Sequence, residues 1–400
     1  MLRYLGPGFV ITIGFIDPGN WATNIAGGSE FGYSLLWVVS LSTLMLILLQ
    51  HLAAKLGIVS GRSLAANVRR RFPRPLAALF GVTIMIACVA TQLAEFLGGA
   101  LGFQILFGIP LWLGGPLTLA IVLVLIMGRQ YHSLERIIMG FLGVIAACYV
   151  VELFIVSPDW AAAAPRWVVP GVSGASILVA MAMLGAIVMP HNIYLHSDVI
   201  QSREWDADPE RRSRLMHFEF IDTTLAMGMG WLVNSAMIIV AAAVFYRHDE
   251  IVKSISQASV TLEPLAGPLA RLLFGIALLA AGISSSVTSS MASGNIVAGY
   301  LGKPADIHSW AYRIGLLATA LLAVSIIDLG LDPFRALIVS QACLSVQLPL
   351  TIVPLLVLSR RRTVMGEHRM GTVTTTAGWL VAAVVIGLNA FLLSQIFSGS

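Results

Sequence analysis

About eleven apolar stretches, each near the roughly 20 residues a helix needs to cross a bilayer core, alternate with short polar or basic connectors along the chain. The pattern predicts spans at 5–28, 33–57, 75–106, 111–127, 134–156, 176–200, 218–246, 268–301, 310–327, 331–359 and 372–397. Two of them are interrupted. The first carries Asp17-Pro18-Gly19-Asn20 and the sixth Met189-Pro190-His191-Asn192, and both read Xaa-Pro-Xaa-Asn. Irregular backbone at membrane depth survives only where it lines a cavity or is buried in protein, so both breaks are expected to serve a site.

The interrupted spans are the first and the sixth, an odd number of crossings apart, so the second copy enters the membrane from the opposite side. That arrangement predicts an inverted repeat: 5–156 and 176–359 as the two halves, 372–397 as an added helix, and residues 1–400 as one transmembrane transport domain. Transporters so built hold their substrate near the midplane between discontinuous helices.

Composition agrees with an all-α integral membrane protein: 58% hydrophobic and 11% charged residues, with mean hydropathy +0.87, far from a soluble domain's usual quarter of charged residues. Most of the 24 Lys and Arg, including Arg3, Arg69, Arg70, Arg71, Arg129, Arg211, Arg360, Arg361 and Arg362, fall in connectors on one side. Fewer lie opposite, among them Lys253 and Arg335. Basic connectors stay cytoplasmic, which predicts a multi-pass protein of the inner (plasma) membrane with its amino terminus inside and its carboxyl terminus outside. The charge of +4 is thus spread over membrane connectors; a nucleic-acid binder gathers its cations on a soluble face. The first apolar run carries Asp17, unlike a cleavable leader, so it is expected to remain in the mature protein. Cys88, Cys148 and Cys343 sit in apolar spans without ligand-like spacing and read as buried small residues.

Proline lacks an N–H, so Pro18 frees the carbonyl of Gly14 and Pro190 that of Ala186. Asp17 and Asn20 stand three apart and can share a face. Ala186 and Met189 repeat that spacing. Carbonyl, carboxylate, amide and thioether donors can then converge from the two breaks, although Asn20 could instead cap the second half-helix. An Asp at the bilayer centre costs about 2.5–3.5 kcal/mol on insertion scales, which marks Asp17 as functional. Oxygen donors suit Mg²⁺, Ca²⁺ and Mn²⁺, whereas one sulfur among them shifts preference toward Mn²⁺ or Fe²⁺. Glu95, Glu152 and His191 remain to balance charge or carry protons, with Glu152 expected at a helix end within reach of water.

Five segments carry a family likeness: Gly14-Phe15-Ile16-Asp17-Pro18-Gly19-Asn20-Trp21-Ala22-Thr23-Asn24, Gln50 to Gly57, Leu93-Ala94-Glu95, Gly185 to Ser197, and Ser340-Gln341 with Gln347-Leu348-Pro349. Through them the chain resembles the natural resistance-associated macrophage protein (Nramp) divalent-metal transporters over nearly its whole length. The resemblance implies a LeuT-like fold with helices 1 and 6 broken, monomeric, and inward transport of Mn²⁺ or Fe²⁺, with Cd²⁺ and similar soft ions accepted. It also implies coupling to H⁺ and no catalytic cofactor. The family's metal ligands fall on Asp17, Asn20, Ala186 (through its carbonyl) and Met189, and Gln341 matches a glutamine that joins them in some states. Protons are then expected at Asp17, His191 and Glu95. Three positions depart from the pattern: Gln92 replaces an acidic residue of the third helix, Arg313 stands alone where many members have paired arginines, and Ile283 takes the place of a glutamine.

Competing readings fit less well. An importer of an organic solute on the same fold would hold a substrate carboxylate at half-helix amino termini, and Met189 and Asp17 together argue against it, since Asp17 would repel that carboxylate; an uncoupled metal uniporter differs only in the proton step. A metal-dependent hydrolase needs three protein ligands around zinc, yet the chain has no His-Glu-x-x-His run; the nearest sequence is His217-Phe218-Glu219. A sensor needs an output domain, and the longest polar stretch, 201–217, reads as a solvated loop.

Overall fold

The computed structural model describes residues 6–128, 131–171, 173–174, 176–203, 205, 209–252 and 254–398. Expectations for Arg3, Leu5, Arg129 and Lys253 lie outside these residues, as does the side chain of Arg211. Among the described residues all regular structure is helical, in the order α1 (Pro7–Gly14), α2 (Pro18–Phe31), α3 (Leu36–Ser60), α4 (Leu64–Arg71), α5 (Arg74–Phe107), α6 (Leu111–Met127), α7 (Tyr131–Val156), α8 (Trp160–Ala163), α9 (Ser176–Ile187), α10 (Pro190–Val199), α11 (Pro209–Val244), α12 (Ile255–Ala266), α13 (Pro268–Leu301), α14 (Trp310–Ile327), α15 (Pro333–Arg360), α16 (Arg362–Met365) and α17 (Thr372–Ser398). Nine helical stretches among them are long and apolar enough to cross a membrane. That number is smaller than the eleven expected spans because Pro18–Ser60 counts as one stretch, holding α2 and α3, and because Leu111–Met127 is short.

Local chemistry explains the boundaries. Prolines open α1, α2, α10, α11, α13 and α15, a position where the missing N–H has no helical partner to lose. The start of α1 is anchored from a distance: the carboxylate of Asp222 on α11 accepts the Gly6 N–H at 3.0 Å and the Gly8 N–H at 2.8 Å, while Pro7 between them has none to give. Beside it, Arg203 and Glu135 form a buried ion pair at 2.6 Å.

Small residues set the helix spacing. A Cβ on Gly282 of α13 would stand 2.7 Å from the Gly99 Cα of α5, so α5 and α13 meet backbone to backbone, as small residues allow in membranes. Trp21 is fully buried between the rings of Tyr149 and Phe274, with centroids at 5.3 and 5.1 Å. The broken pair α1/α2 packs on α11, and α9 and α10 lie against α2, α3 and α13. The site therefore forms where these interior helices cross.

Three expectations need correction. Helix α11 begins at Pro209, so the back half of the stretch read as a solvated loop is helical; Glu and Arg are good helix formers, and Pro favours the first turn. Cys343 is exposed on the outer face of α15, whereas Cys88 and Cys148 are buried. Glu152 is 1% exposed with neither oxygen hydrogen-bonded, because its face of α7 turns into the bundle instead of reaching water.

Candidate metal site at two helix breaks

The first break is three residues long. α1 stops at Gly14, and Asp17, in extended backbone (φ −81°, ψ 164°), becomes the N-cap of α2. Its Oδ1 accepts the Asn20 N–H at 2.9 Å and its Oδ2 the Gly19 N–H at 3.2 Å. The cap is thus Asp17, not Asn20, since a cap must precede the N–H groups it satisfies. Asn20 is left free to reach across. Its Nδ2 donates to the Phe15 carbonyl at 2.8 Å, to Asp17 Oδ1 at 2.9 Å and to the Ala186 carbonyl at 2.9 Å.

The last of these bonds joins residues 166 apart in sequence and closes the distance between the two breaks. In the second break α9 ends at Ile187, and Met189 (φ −80°, ψ 125°) precedes Pro190 at the start of α10. The Ala186 carbonyl is turned to the other half, as the missing proline N–H anticipates. At the first break the carbonyl captured by side chains is that of Phe15, which also receives Asn234 Nδ2 at 3.4 Å. From α15, Gln341 Nε2 approaches Asp17 Oδ2 at 3.3 Å. The sulfur of Met189 accepts Asn192 Nδ2 at 3.7 Å, and the Asn192 amide lies over Gly14, its Oδ1 2.7 Å from where a Cβ would stand. Asp17, Asn20, Ala186, Met189 and Gln341 are all fully buried, so the site is closed to solvent in this conformation.

The cluster sets one buried carboxylate among amide groups. Two amide groups point their N–H donors at the Asp17 carboxylate, while their own oxygens, Asn20 Oδ1 and Gln341 Oε1, are buried without partners. A buried acceptor left unsatisfied costs about 1–3 kcal/mol. The carboxyl ends of α1 and α9 and the amino ends of α2 and α10 all meet at the breaks, so dipole ends of both signs face the cluster. Among the described residues no three His, Cys, Asp or Glu side chains are grouped to hold a metal; the polar groups at the two breaks are one carboxylate with amide, carbonyl and thioether groups.

The residues expected to carry protons are placed less tightly. His191, in the first turn of α10, is fully buried with neither ring nitrogen hydrogen-bonded. Glu95 of α5 accepts the Ser289 hydroxyl of α13, and its other oxygen is unpartnered. Neither bonds to Asp17. Gln92 donates to Ser290 Oγ at 3.3 Å and Ser293 Oγ at 3.2 Å, which ties it into the serine-rich face of α13. Sequence reasoning missed Asn234, whose Oδ1 accepts Asn24 Nδ2 at 2.7 Å while its own amide holds the Gly230 carbonyl at 3.0 Å. A lone amide in the apolar run of α11 was the available signal.

The model of a family described as natural resistance-associated macrophage protein-like matches residues 8–395. The chain is 41% identical over 403 residues to the divalent metal cation transporter MntH of Caldanaerobacter subterraneus subsp. tengcongensis, covering 100% of this chain and 94% of that protein. With MntH of Deinococcus radiodurans it shares 40% identity, covering 100% and 91%. A mutant of the Eremococcus coleocola manganese transporter matches with a TM-score of 0.85 at 28% identity, over 100% of this chain and 87% of that one. Mhp1, a nucleobase-cation-symport-1 family transporter, matches with a TM-score of 0.68 at 14% identity, over 98% and 93%, a likeness of fold alone. The architecture is accordingly a LeuT-like membrane fold with its first and sixth spans broken.

Proposed function

The chain belongs to the natural resistance-associated macrophage protein (Nramp) family, whose members are transporters and not enzymes, and from that premise we propose that it imports Mn²⁺ or Fe²⁺ by alternating access. The observation that carries the proposal is the Asn20 amide held between Asp17 Oδ1 and the Ala186 carbonyl, both at 2.9 Å. A hydrogen-bond donor there occupies the place a cation would take between two oxygens. In this reading the ion sheds water for Asp17, Asn20, the Ala186 carbonyl, Met189 and Gln341. The Asn20 and Gln341 amides turn over as it arrives, which satisfies their unpartnered oxygens. Met189 supplies the sulfur that disfavours Ca²⁺ and Mg²⁺, and other soft divalent ions such as Cd²⁺ are accepted.

The halves 5–156 and 176–359 then rock about the paired breaks, in the manner of transporters with discontinuous helices at the midplane. Proton coupling is part of the proposal and is assigned to Asp17, His191 and Glu95, because each is buried with hydrogen-bonding capacity to spare or a role at the site itself. The transporter works as a monomer in the plasma membrane, amino terminus inside, in keeping with the distribution of its Lys and Arg residues. Uptake of radioactive Mn²⁺ into proteoliposomes, with and without a pH gradient and with Fe²⁺, Cd²⁺, Ca²⁺ and Mg²⁺ as competitors, tests the whole reading. Saturable uptake resisted by Ca²⁺ and Mg²⁺ less than by Cd²⁺ is expected; absence of uptake, or equal competition by all four ions, rejects it.

A further inference from the structure

We propose that the face formed by α5, α13 and α14 is a binding site for one anionic glycerophospholipid, with its phosphodiester on Arg69 and Arg74 and one acyl chain in the groove below them. The groove has a volume of about 670 Å³. Small side chains open it: Ala77, Ala78 and Gly81 on α5, and Ala318 on α14. Large apolar side chains line it without closing it, Val82 and Ile86 each being 60% exposed and Leu322 52%.

Charge complementarity selects the occupant. Among the described residues neither Arg69 nor Arg74 has a carboxylate partner, and both stand at one end of an otherwise apolar channel. Arg71, by contrast, is used elsewhere, donating to the Thr363 carbonyl at 3.2 Å. The guanidinium of Arg69 lies over Gly302, the cap of α13 at φ +68°: its Cζ is 2.7 Å from where a Cβ on Gly302 would stand, so any other residue there would displace it. Basic pockets between helices at a membrane surface are suited to anionic headgroups.

The length fits one lipid chain. Between Arg74 and Val89, α5 rises about 22 Å at roughly 1.5 Å per residue, enough to run from the headgroup level to the centre of a core about 30 Å thick. A second groove, of about 570 Å³, shares Ile86, Val89 and Leu322 and continues toward the other face. There Asp332 accompanies Arg335, so the charge bias for an anion is confined to the Arg69/Arg74 end. The wall of the first groove includes Tyr300, whose hydroxyl meets that of Tyr194 on α10 at 2.9 Å. A chain seated there would therefore press on the helix that follows the second break.

Native mass spectrometry of the detergent-purified full chain, titrated with phosphatidylglycerol or phosphatidylcholine, tests the site. Each basic side chain near an anionic surface contributes about five-fold, so R69Q/R74Q should bind phosphatidylglycerol about thirty-fold more weakly, and phosphatidylcholine, whose choline already offsets the charge of its phosphodiester, with a clearly smaller loss. R70Q/R360Q, which removes two exposed charges outside the groove, should stay within about two-fold of the native protein. A78F/A318F, which fills the groove from two exposed positions, should weaken both lipids several-fold. Unchanged phosphatidylglycerol binding by R69Q/R74Q overturns the proposal. An equal loss in R70Q/R360Q reduces it to general polybasic attraction, and full binding by A78F/A318F removes the acyl chain from the groove; either result also rejects the site.

Discussion

The contact between α5 and the first break offers a sharp test, because a single methyl group should disable transport without unfolding the protein. Gly98 of α5 faces Pro18, the residue after Asp17. A Cβ on Gly98 would stand 3.3 Å from Pro18 Cδ and overlap two further ring carbons outright. Pro18 cannot rotate its side chain away, since the ring is closed on the backbone. Restoring carbon–carbon separations of about 3.5–4.0 Å then requires α5 and the start of α2 to part by more than about 1 Å. Asp17 moves with Pro18. Asn20, in the same first turn, moves with them, and its 2.9 Å link to the Ala186 carbonyl on α9 would be stretched beyond hydrogen-bond range. In well-ordered sites a misplacement of about 1 Å can cost about a hundred-fold in rate, while overpacking of this size costs about 1–3 kcal/mol of stability. Gly98→Ala is therefore expected to purify as a folded protein and to lose at least about ten-fold in initial Mn²⁺ uptake into proteoliposomes. Gly140→Ala and Gly143→Ala on α7 are the matched controls: nothing lies within 4 Å of either added methyl, and helix propensity should gain about 1 kcal/mol in each. If Gly98→Ala transports Mn²⁺ within two-fold of the native rate, the ligands are not held in register by that contact and the geometric argument fails.

Asp17→Ala removes the only carboxylate of the site and should leave less than about a tenth of Mn²⁺ uptake, given the cost of holding a divalent ion at membrane depth without it; higher residual uptake would displace Asp17 from its central role. Met189→Ala should keep Mn²⁺ uptake measurable while Ca²⁺ and Mg²⁺ begin to compete, and unchanged selectivity would contradict the softness argument. An internal pH dye should report acidification during Mn²⁺ uptake, with Glu95→Gln or His191→Ala diminishing it; no acidification in the native protein means uniport. Asp222→Ala strips the acceptor from the Gly6 and Gly8 N–H groups, each worth about 1.5–3 kcal/mol as a bond to a charged group. Faster hydrogen exchange at those two amides and a lower melting temperature are expected, and unchanged exchange would show that α1 is anchored otherwise.

Much of this protein could be read from its sequence because the membrane leaves few options. A run of apolar residues in lipid must satisfy its own backbone, so each one is a helix, and a proline inside it must free a carbonyl. Those two rules located α1/α2 and α9/α10, singled out Asp17, Asn20, Ala186 and Met189, and required no knowledge of packing. The structure alone decided how these residues meet: that Asp17 caps α2 while Asn20 bridges to Ala186, that Phe15 and not Gly14 offers the carbonyl captured by side chains, and that Asn234 and Asp222 of α11 brace the first break. Gln341, 324 residues from Asp17, entered the sequence reading only by resemblance, yet it donates to that carboxylate. Glu152 and Cys343 were misjudged for the same cause. Hydrophobic runs announce that a segment crosses the membrane, but when both lipid and protein interior are apolar the pattern does not say which face turns inward. That choice is made by close approaches such as Gly98 on Pro18 and Gly282 on Gly99, between residues whose sequence neighbours carry no record of each other.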